Sequence, residues 1–148
     1  MKKKTALFIG RFQPLHYGHL HAIRRARRKY NVIVLIGSIN KKDEKNPFSY
    51  PQRKDMISSL FPNIKIIGIK DTTDSAWTKK IKKLKFDVVI SGNARVWKCL
   101  KGCAIEIPKF SNPKRYNGTK IRKLLAHGKS VDGLVPKKIV KITQKKRS

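Results

Sequence analysis

Hydrophobic and polar positions alternate along this chain in two rhythms. Short apolar runs rich in β-branched residues occupy residues 5–10, 31–37, 64–69, 86–91 and 104–107, and these are predicted strands. Three contain nearly unbroken apolar sequence: Val32-Ile33-Val34-Leu35-Ile36, residues 64–69, and Val88-Val89-Ile90. Such a run suits a central parallel strand, because helices cover both of its faces and neither meets water. Between the strands lie longer stretches with helical spacing. Residues 19–29 put Leu20, Ile23 and the stem of Arg27 on one side, and residues 52–61 follow Pro51, which suits a first turn. Residues 75–84 can take Ser75 or Asp74 as N-cap, and residues 118–127 and 136–143 complete the helices. Regular alternation of strand and helix, without a repeat or a low-complexity linker, predicts one α/β domain over residues 1–148. Its sheet is parallel, doubly wound and of about five strands. Residues 144–148 are expected to fray.

Composition narrows the class. No run of about 18 apolar residues exists, which speaks against a membrane span. Met1-Lys2-Lys3-Lys4 has the charge of a signal-peptide start, but the apolar stretch after it ends at Arg11, too short for an h-region. The expected location is the cytoplasm. Cys99 and Cys103 are too few for a disulfide framework, and their spacing matches neither a redox pair nor a zinc ribbon. The unusual feature is charge: 37 Lys and Arg against 8 Asp and Glu, formally +29. So basic a chain attracts polyanions, nucleic acid among them. The cations are spread over every segment, however, with runs such as Arg24-Arg25-Ala26-Arg27-Arg28-Lys29 and Lys79-Lys80-Ile81-Lys82-Lys83. The charge favours anionic ligands without choosing among them.

In a doubly wound sheet, ligands collect where strands end and helices begin. The distinctive residues sit at four such places: Gly10 onward, Gly37-Ser38, Asp71 onward and Ser91-Gly92-Asn93. The first opens Gly10-Arg11-Phe12-Gln13-Pro14-Leu15-His16-Tyr17-Gly18-His19. Gly10 allows close backbone approach, Pro14 stiffens the turn, and Gly18 stands where a helix starts. His16 and His19, three apart, can point to one side and join free backbone N–H groups in a phosphate site. The alternatives are a surface pair at a helix start, or a metal site with His21 that lacks a nearby carboxylate or cysteine to complete it. A second helix start, Tyr116-Asn117-Gly118-Thr119-Lys120-Ile121-Arg122, again offers N–H groups with Lys120 and Arg122 beside them. Gly128-Lys129-Ser130 imitates the end of a P-loop, but Lys123 stands where that motif requires Gly, so Gly128 is read as ending a helix.

The run from Gly10 to His19 resembles the (H/T)xGH signature of the nucleotidylyltransferase superfamily. In its longer form GRFQPxHxGH it is similar to the archaeal-type nicotinamide mononucleotide adenylyltransferases. Further segments occur in the order of that family: Ile36-Gly37-Ser38, Asn46-Pro47-Phe48-Ser49 with Arg53, Trp77, Phe86-Asp87-Val88-Val89 with Ser91-Gly92-Asn93, and Tyr116 to Arg122. The resemblance spans about the whole chain and implies a Rossmann-like fold of the HxGH type. It implies catalytic roles for Arg11, His16, His19 and Arg122. It implies ATP contacts from Gly10, Arg11, Phe12, His16, Gly18, His19, Lys45, Asn117, Gly118, Thr119 and Arg122. For the nicotinamide nucleotide it implies Ser38, Asp71, Asp74, Trp77, Ser91 and Asn93, with the pyridinium ring over the Trp77 face. Asn117 stands where the family usually has Ser, and Lys45 where it tends to have Arg, a point charge in place of a bidentate fork. Asp71 and Trp77 lie one residue closer together than usual, so Asp71 and Asp74 are both carried as candidates.

The implied reaction is attack of the mononucleotide 5′-phosphate on the α-phosphorus of ATP, forming NAD and releasing pyrophosphate. Mg2+ would ride on the ATP phosphates, since eight acidic residues leave little for a two-metal carboxylate cluster. Related transferases acting on phosphopantetheine, FMN or a polyol phosphate, and a basic nucleic-acid-binding protein, are the competing readings. Members of the family often assemble as homo-oligomers, an arrangement that +29 per chain would oppose.

Overall fold

The computed structural model describes residues 2–145. Five strands and six helices follow in the order β1 (Thr5–Gly10), α1 (Tyr17–Lys29), β2 (Asn31–Ile36), α2 (Tyr50–Leu60), β3 (Lys65–Gly68), α3 (Asp74–Lys82), β4 (Val88–Ile90), α4 (Ala94–Cys99), β5 (Ile105–Glu106), α5 (Gly118–Ala126) and α6 (Lys137–Lys145). All strand pairs are parallel, in the order β3-β2-β1-β4-β5. The α/β doubly wound expectation therefore holds, and β1 is the pivot. The chain builds outward through β2 and β3, then crosses back to β4 and β5, leaving a crevice beyond the carboxyl ends of β1 and β4.

Period-two alternation within the strands sorts the core into two layers. Ala6, Phe8, Val34, Ile36, Val88 and Ile90 face one side and pack with Leu20 and Ile23 of α1, Met56 and Ile57 of α2, Ile121 and Ile139. Leu7, Leu35 and Val89 face the other side, against Ile81 of α3, Val96 of α4 and Leu100. Helices thus cover both faces, which is why β2 and β4 read as continuous apolar runs. Residues 64–69, expected as a third central strand, instead form the edge strand β3, where no position from Lys65 to Gly68 is fully buried.

Caps set the helix starts and explain most departures from the expected bounds. Helix α1 begins two residues early because His16 is its N-cap, accepting from Gly18 N–H. Helix α2 begins at Tyr50 under a reciprocal Ser49–Gln52 capping box, with Pro51 in its first turn. Helix α3 is capped by Thr73, whose hydroxyl accepts from Ala76 N–H at 3.2 Å, in place of Ser75 or Asp74. Helix α4 was not expected at all. Six residues give no periodic apolar stripe, and only Val96 of it is buried; Asn93, expected on the second substrate, also caps it. Gly128 takes φ +67 just beyond α5, as a helix-ending glycine does. Helix α6 runs to Lys145; of the segment 144–148 expected to fray, residues 146–148 lie outside the described residues.

One side chain ties the strand ends together. Arg53 of α2 is fully buried. Its Nη1 donates to the carbonyls of Arg11 (3.0 Å) and Gly37 (2.7 Å), its Nη2 to Ser38 (3.1 Å), and its Nε to Ser49 (3.3 Å). Burial, and then the charge of Arg11, lowers its pKa to about 10, which still leaves it protonated at neutral pH. Beside it, Gln13 pairs with the backbone of Phe48 through both amide ends, at 3.1 and 2.9 Å. The loops after β1 and β2 are thereby locked to each other. Removal of the guanidinium strands the buried carbonyls of Arg11 and Gly37, whereas those of Ser38 and Ser49 keep the backbone N–H groups of Lys41 and Arg53. We expect Arg53→Met to lower unfolding free energy by about 3 kcal/mol or more in urea titrations. Arg53→Lys should recover little, because an ammonium cannot reproduce the planar fork; full recovery by Lys would contradict this role.

Candidate active site

The turn after β1 is folded back on itself. Phe12 adopts φ +54 and the Gln13–Pro14 peptide is cis. Phe12 points into the core, where its ring is 1% exposed and lies 6.3 Å from Phe8 and 4.9 Å from His19. The ring of Phe12, a residue expected at the ATP site, is the floor under His19, because an aromatic side chain at this turn gains more from the core than from solvent.

His16 and His19 form a reciprocal cap. His16 Nδ1 accepts from Gly18 N–H at 3.0 Å, and His19 Nδ1 accepts from His16 N–H at 3.1 Å. The rings stack with centroids 3.8 Å apart. Gly18 is required here, since a Cβ would sit 2.8 Å from His16 Cε1. With both Nδ1 atoms accepting from backbone, a neutral ring must carry its proton on Nε2. Both rings are held neutral. Burial, and then Arg122, lowers His16 to about 4. Burial, and then His16, lowers His19 well below the usual range. The pair is thus a set of preoriented Nε2–H donors and not a pair of cations. A polyphosphate brought against them would favour the charged form and raise both values.

Helix α5 supplies the opposing side. Asn117 caps it, its Oδ1 accepting from Lys120 N–H at 3.2 Å; an amide does here what the more usual hydroxyl would do. Arg122, 109 residues on from Gln13, donates from Nη1 to the Gln13 carbonyl at 3.0 Å and from Nη2 to the Thr119 hydroxyl at 3.3 Å. A Cβ on Gly118 would lie 2.9 Å from that guanidinium. Burial, and then Arg11, lowers the pKa of Arg122. Arg11, His16 and Arg122 are therefore close enough to feel one another. Lys120 turns away to the Lys114 carbonyl. Lys45 stays on an exposed loop and does not line the adjoining cleft.

That cleft, of about 730 Å³, opens beyond the strand ends. Gly10 and Arg11 form one boundary; Ser38, Asp71, Asp74, Trp77, Ser91 and Asn93, expected on the second substrate, all line it. Ser38, at φ +55, donates its hydroxyl to both oxygens of the Asp71 carboxylate at 2.9 Å. Asn40 brackets the Asp71 backbone. Ser91 is buried and its hydroxyl accepts from Asn93 N–H, while Asn93 Oδ1 caps α4, which leaves the Asn93 amide N–H₂ for a ligand. Trp77 is half-buried, with Ile9, Val96 and Cys99 completing an apolar recess. Lys41 and Arg95 also line the cleft and were missed from sequence. Arg95 lies on the short helix that left no periodic signal. Among the described residues no group of three or more His, Cys, Asp or Glu could hold a metal ion, and no helix is long and apolar enough to cross a membrane.

Comparison with known proteins bears on this site. Residues 7–124 match the family described as cytidylyltransferase-like. The nicotinamide-nucleotide adenylyltransferase of Methanococcus maripaludis (strain C5) is 34% identical, over 94% of this chain and 88% of its own. That of Methanococcus aeolicus is 37% identical, over 93% and 86%. Among solved structures, a bifunctional NMN adenylyltransferase/ADP ribose pyrophosphatase from Francisella tularensis superposes with a TM-score of 0.77 at 25% identity. The match covers 100% of this chain and 51% of that one, so the chain spans about half the length of the bifunctional protein.

The two neutral histidines give the fold a defined acid sensitivity. Unfolded, each titrates near 6.5; folded, His16 does so only near 4 and His19 well below its usual range. Between pH 6.5 and 4 the unfolded chain binds protons that the folded chain refuses, so stability falls as pH drops. His16 alone accounts for about 3 kcal/mol by pH 4. Urea midpoints measured from pH 7.5 to 4.5 should therefore fall more steeply for the wild type than for His16→Asn, which keeps a capping acceptor. Equal slopes would remove the assignment.

Proposed function

The chain belongs to the cytidylyltransferase-like family, with the nicotinamide-nucleotide adenylyltransferases among its relatives, and from that premise we propose that it transfers the AMP part of ATP to nicotinamide mononucleotide, forming NAD and pyrophosphate. The observation that carries this reading is the division of the site. A turn with two neutral Nε2–H donors, flanked by Arg11 and Arg122, adjoins a separate recess built around Trp77.

An oxygen of the mononucleotide 5′-phosphate attacks the α-phosphorus of ATP in line. The new P–O–P bond forms as the bond to the β-phosphate oxygen breaks, and pyrophosphate leaves with the electron pair. No covalent enzyme intermediate is needed, so the protein contributes position and charge compensation. His16 and His19 would donate to triphosphate oxygens at the amino end of α1, where the positive end of the helix dipole adds to the pull. His19 would meet the charge as it develops, and Arg122 and Arg11 would neutralise the leaving pyrophosphate. Gly118 and Thr119 would add backbone donors at the start of α5, and Lys45 a charge from its loop. Ser38, Asp71, Asp74, Ser91 and Asn93 would hold the ribose and carboxamide, with the pyridinium ring on Trp77. Mg2+ carried on the ATP phosphates would supply further charge compensation. The residues present suit that arrangement better than a protein-built cage, since Asp71 is engaged by Ser38 and Asp74 by Arg95. An ATP-consuming step of this kind belongs to the cytoplasm.

A transferase for another phosphate ester is the nearest competitor, and the aromatic recess favours a flat ring over the open chains of phosphopantetheine and a polyol phosphate. Pyrophosphate release measured for ATP and CTP with nicotinamide mononucleotide, phosphopantetheine, FMN and a polyol phosphate decides the matter; turnover confined to any of the last three would refute the assignment. His19→Ala should lower kcat about 10²-fold or more, as removal of an oxyanion donor does; an intact kcat with a raised KM would assign His19 to binding alone. Trp77→Ala should raise KM for the nicotinamide nucleotide and leave that for ATP nearly unchanged, whereas equal losses would mean a packing role.

A further inference from the structure

The recess around Trp77 has apolar walls and a charged rim. Ile9, Trp77, Val96 and Cys99 line it, and Asp74 and Arg95 meet between α3 and α4. Nε and Nη2 of Arg95 lie 2.8 and 2.6 Å from Asp74 Oδ1. Asp74 and Trp77 are three residues apart on α3 and so share a face. Arg95 precedes Val96, which enters the recess from α4. The edge of a flat ring seated there is within reach of this pair. The two side chains are 70% and 57% exposed, so packing does not fix them and either can turn toward a ligand. Two of the five guanidinium N–H groups serve Asp74, and three are left.

We propose that Arg95 is a specificity-determining residue, which reads the substituent on the pyridine ring and admits a mononucleotide bearing a carboxylate (the nicotinate form) alongside the one bearing a carboxamide. The inference rests on the function proposed above. A carboxylate accepts charge-assisted hydrogen bonds from the free guanidinium N–H groups. A carboxamide matches both members of the pair, its oxygen toward Arg95 and its N–H₂ toward Asp74. Asp74 offsets the arginine charge, so the neutral substituent is not excluded. Without Arg95, Asp74 is the charge left on the α3–α4 side of the cleft and it repels a carboxylate; Asp71 and Lys41 come from the β2 and β3 loops instead.

The test is kcat/KM for nicotinamide and nicotinate mononucleotides with ATP, read by pyrophosphate release, in the wild type, Arg95→Met, Arg95→Lys and Asp74→Asn. The wild type should use both forms within about tenfold of each other, the discrimination one charge-assisted hydrogen bond supplies. Arg95→Met should lower the nicotinate-to-nicotinamide ratio about tenfold, Arg95→Lys should hold it closer to the wild type, and Asp74→Asn should raise it. A merely structural clasp would lower both substrates together. A ratio that stays within twofold in Arg95→Met and Asp74→Asn, with turnover present, overturns the inference and leaves the proposed function standing. No turnover of either compound by the wild type overturns both. Thermal melts check that the variants fold, which the exposure of both side chains leads us to expect.

Discussion

The buried guanidinium of Arg53 is the constraint on which the site is built. Strands β1 and β2 end side by side, and their last carbonyls face a region where no further strand pairing is available. A single planar fork collects the carbonyls of Arg11, Gly37 and Ser38 and anchors them to α2. Backbone polar groups leaving a sheet must find partners or water. Here they find a side chain whose geometry fixes the distance between the two loops. The same clamp delivers Arg11 to the cleft edge and sets Ser38 in the left-handed backbone region that aims its hydroxyl at Asp71.

A second consequence concerns charge. The cleft end of the molecule gathers Arg11, Arg53 and Arg122, and burial together with mutual repulsion lowers the pKa of Arg53 and Arg122. Adding two imidazolium ions would increase that repulsion. The reciprocal cap avoids this by keeping both rings neutral while leaving each Nε2–H free to donate. Hydrogen-bonding capacity is thus concentrated where the surrounding field already favours an anion, and an arriving polyphosphate relieves the repulsion among the guanidinium groups. The wider +29 surface is a different matter. Among the described residues two ion pairs form, Lys29–Glu106 and Arg95–Asp74, and the basic runs on α1 and α3 face solvent. That charge is spread over the surface, whereas the cleft has a defined lining.

Much of this could be read in the chain itself. Unbroken apolar runs at β2 and β4 required strands covered on both faces, and strand–helix alternation then required a parallel, doubly wound sheet. The turn from Gly10 to His19 carried its chemistry in residue type and spacing. So did Asn117 and Gly118, whose capping role is local. These features were legible because each depends on neighbours a few residues away. Helix α4 and the Thr73 cap were not legible, because six residues carry no periodicity and several adjacent hydroxyl and carboxyl side chains can each cap a helix.

Only the tertiary structure decided which way the ambiguous side chains turn. Phe12 lies inside the motif, yet it faces the core because the turn after β1 folds back over Phe8. Lys45 lies in a family-like segment, yet its loop leaves it exposed outside the cleft. Arg53 also belongs to a family-like segment, yet its carbonyl partners after β1 and β2 come within its reach only in the fold. Arg95 became part of the cleft only when α3 and α4 came side by side. Sequence determined the strands, their parallel pairing and the turn after β1, since hydrophobic period and backbone conformation act locally, whereas the edge position of β3 came only with the fold. The partners of a long polar side chain depend on which loops lie within reach, and that distance exists only once the fold has formed.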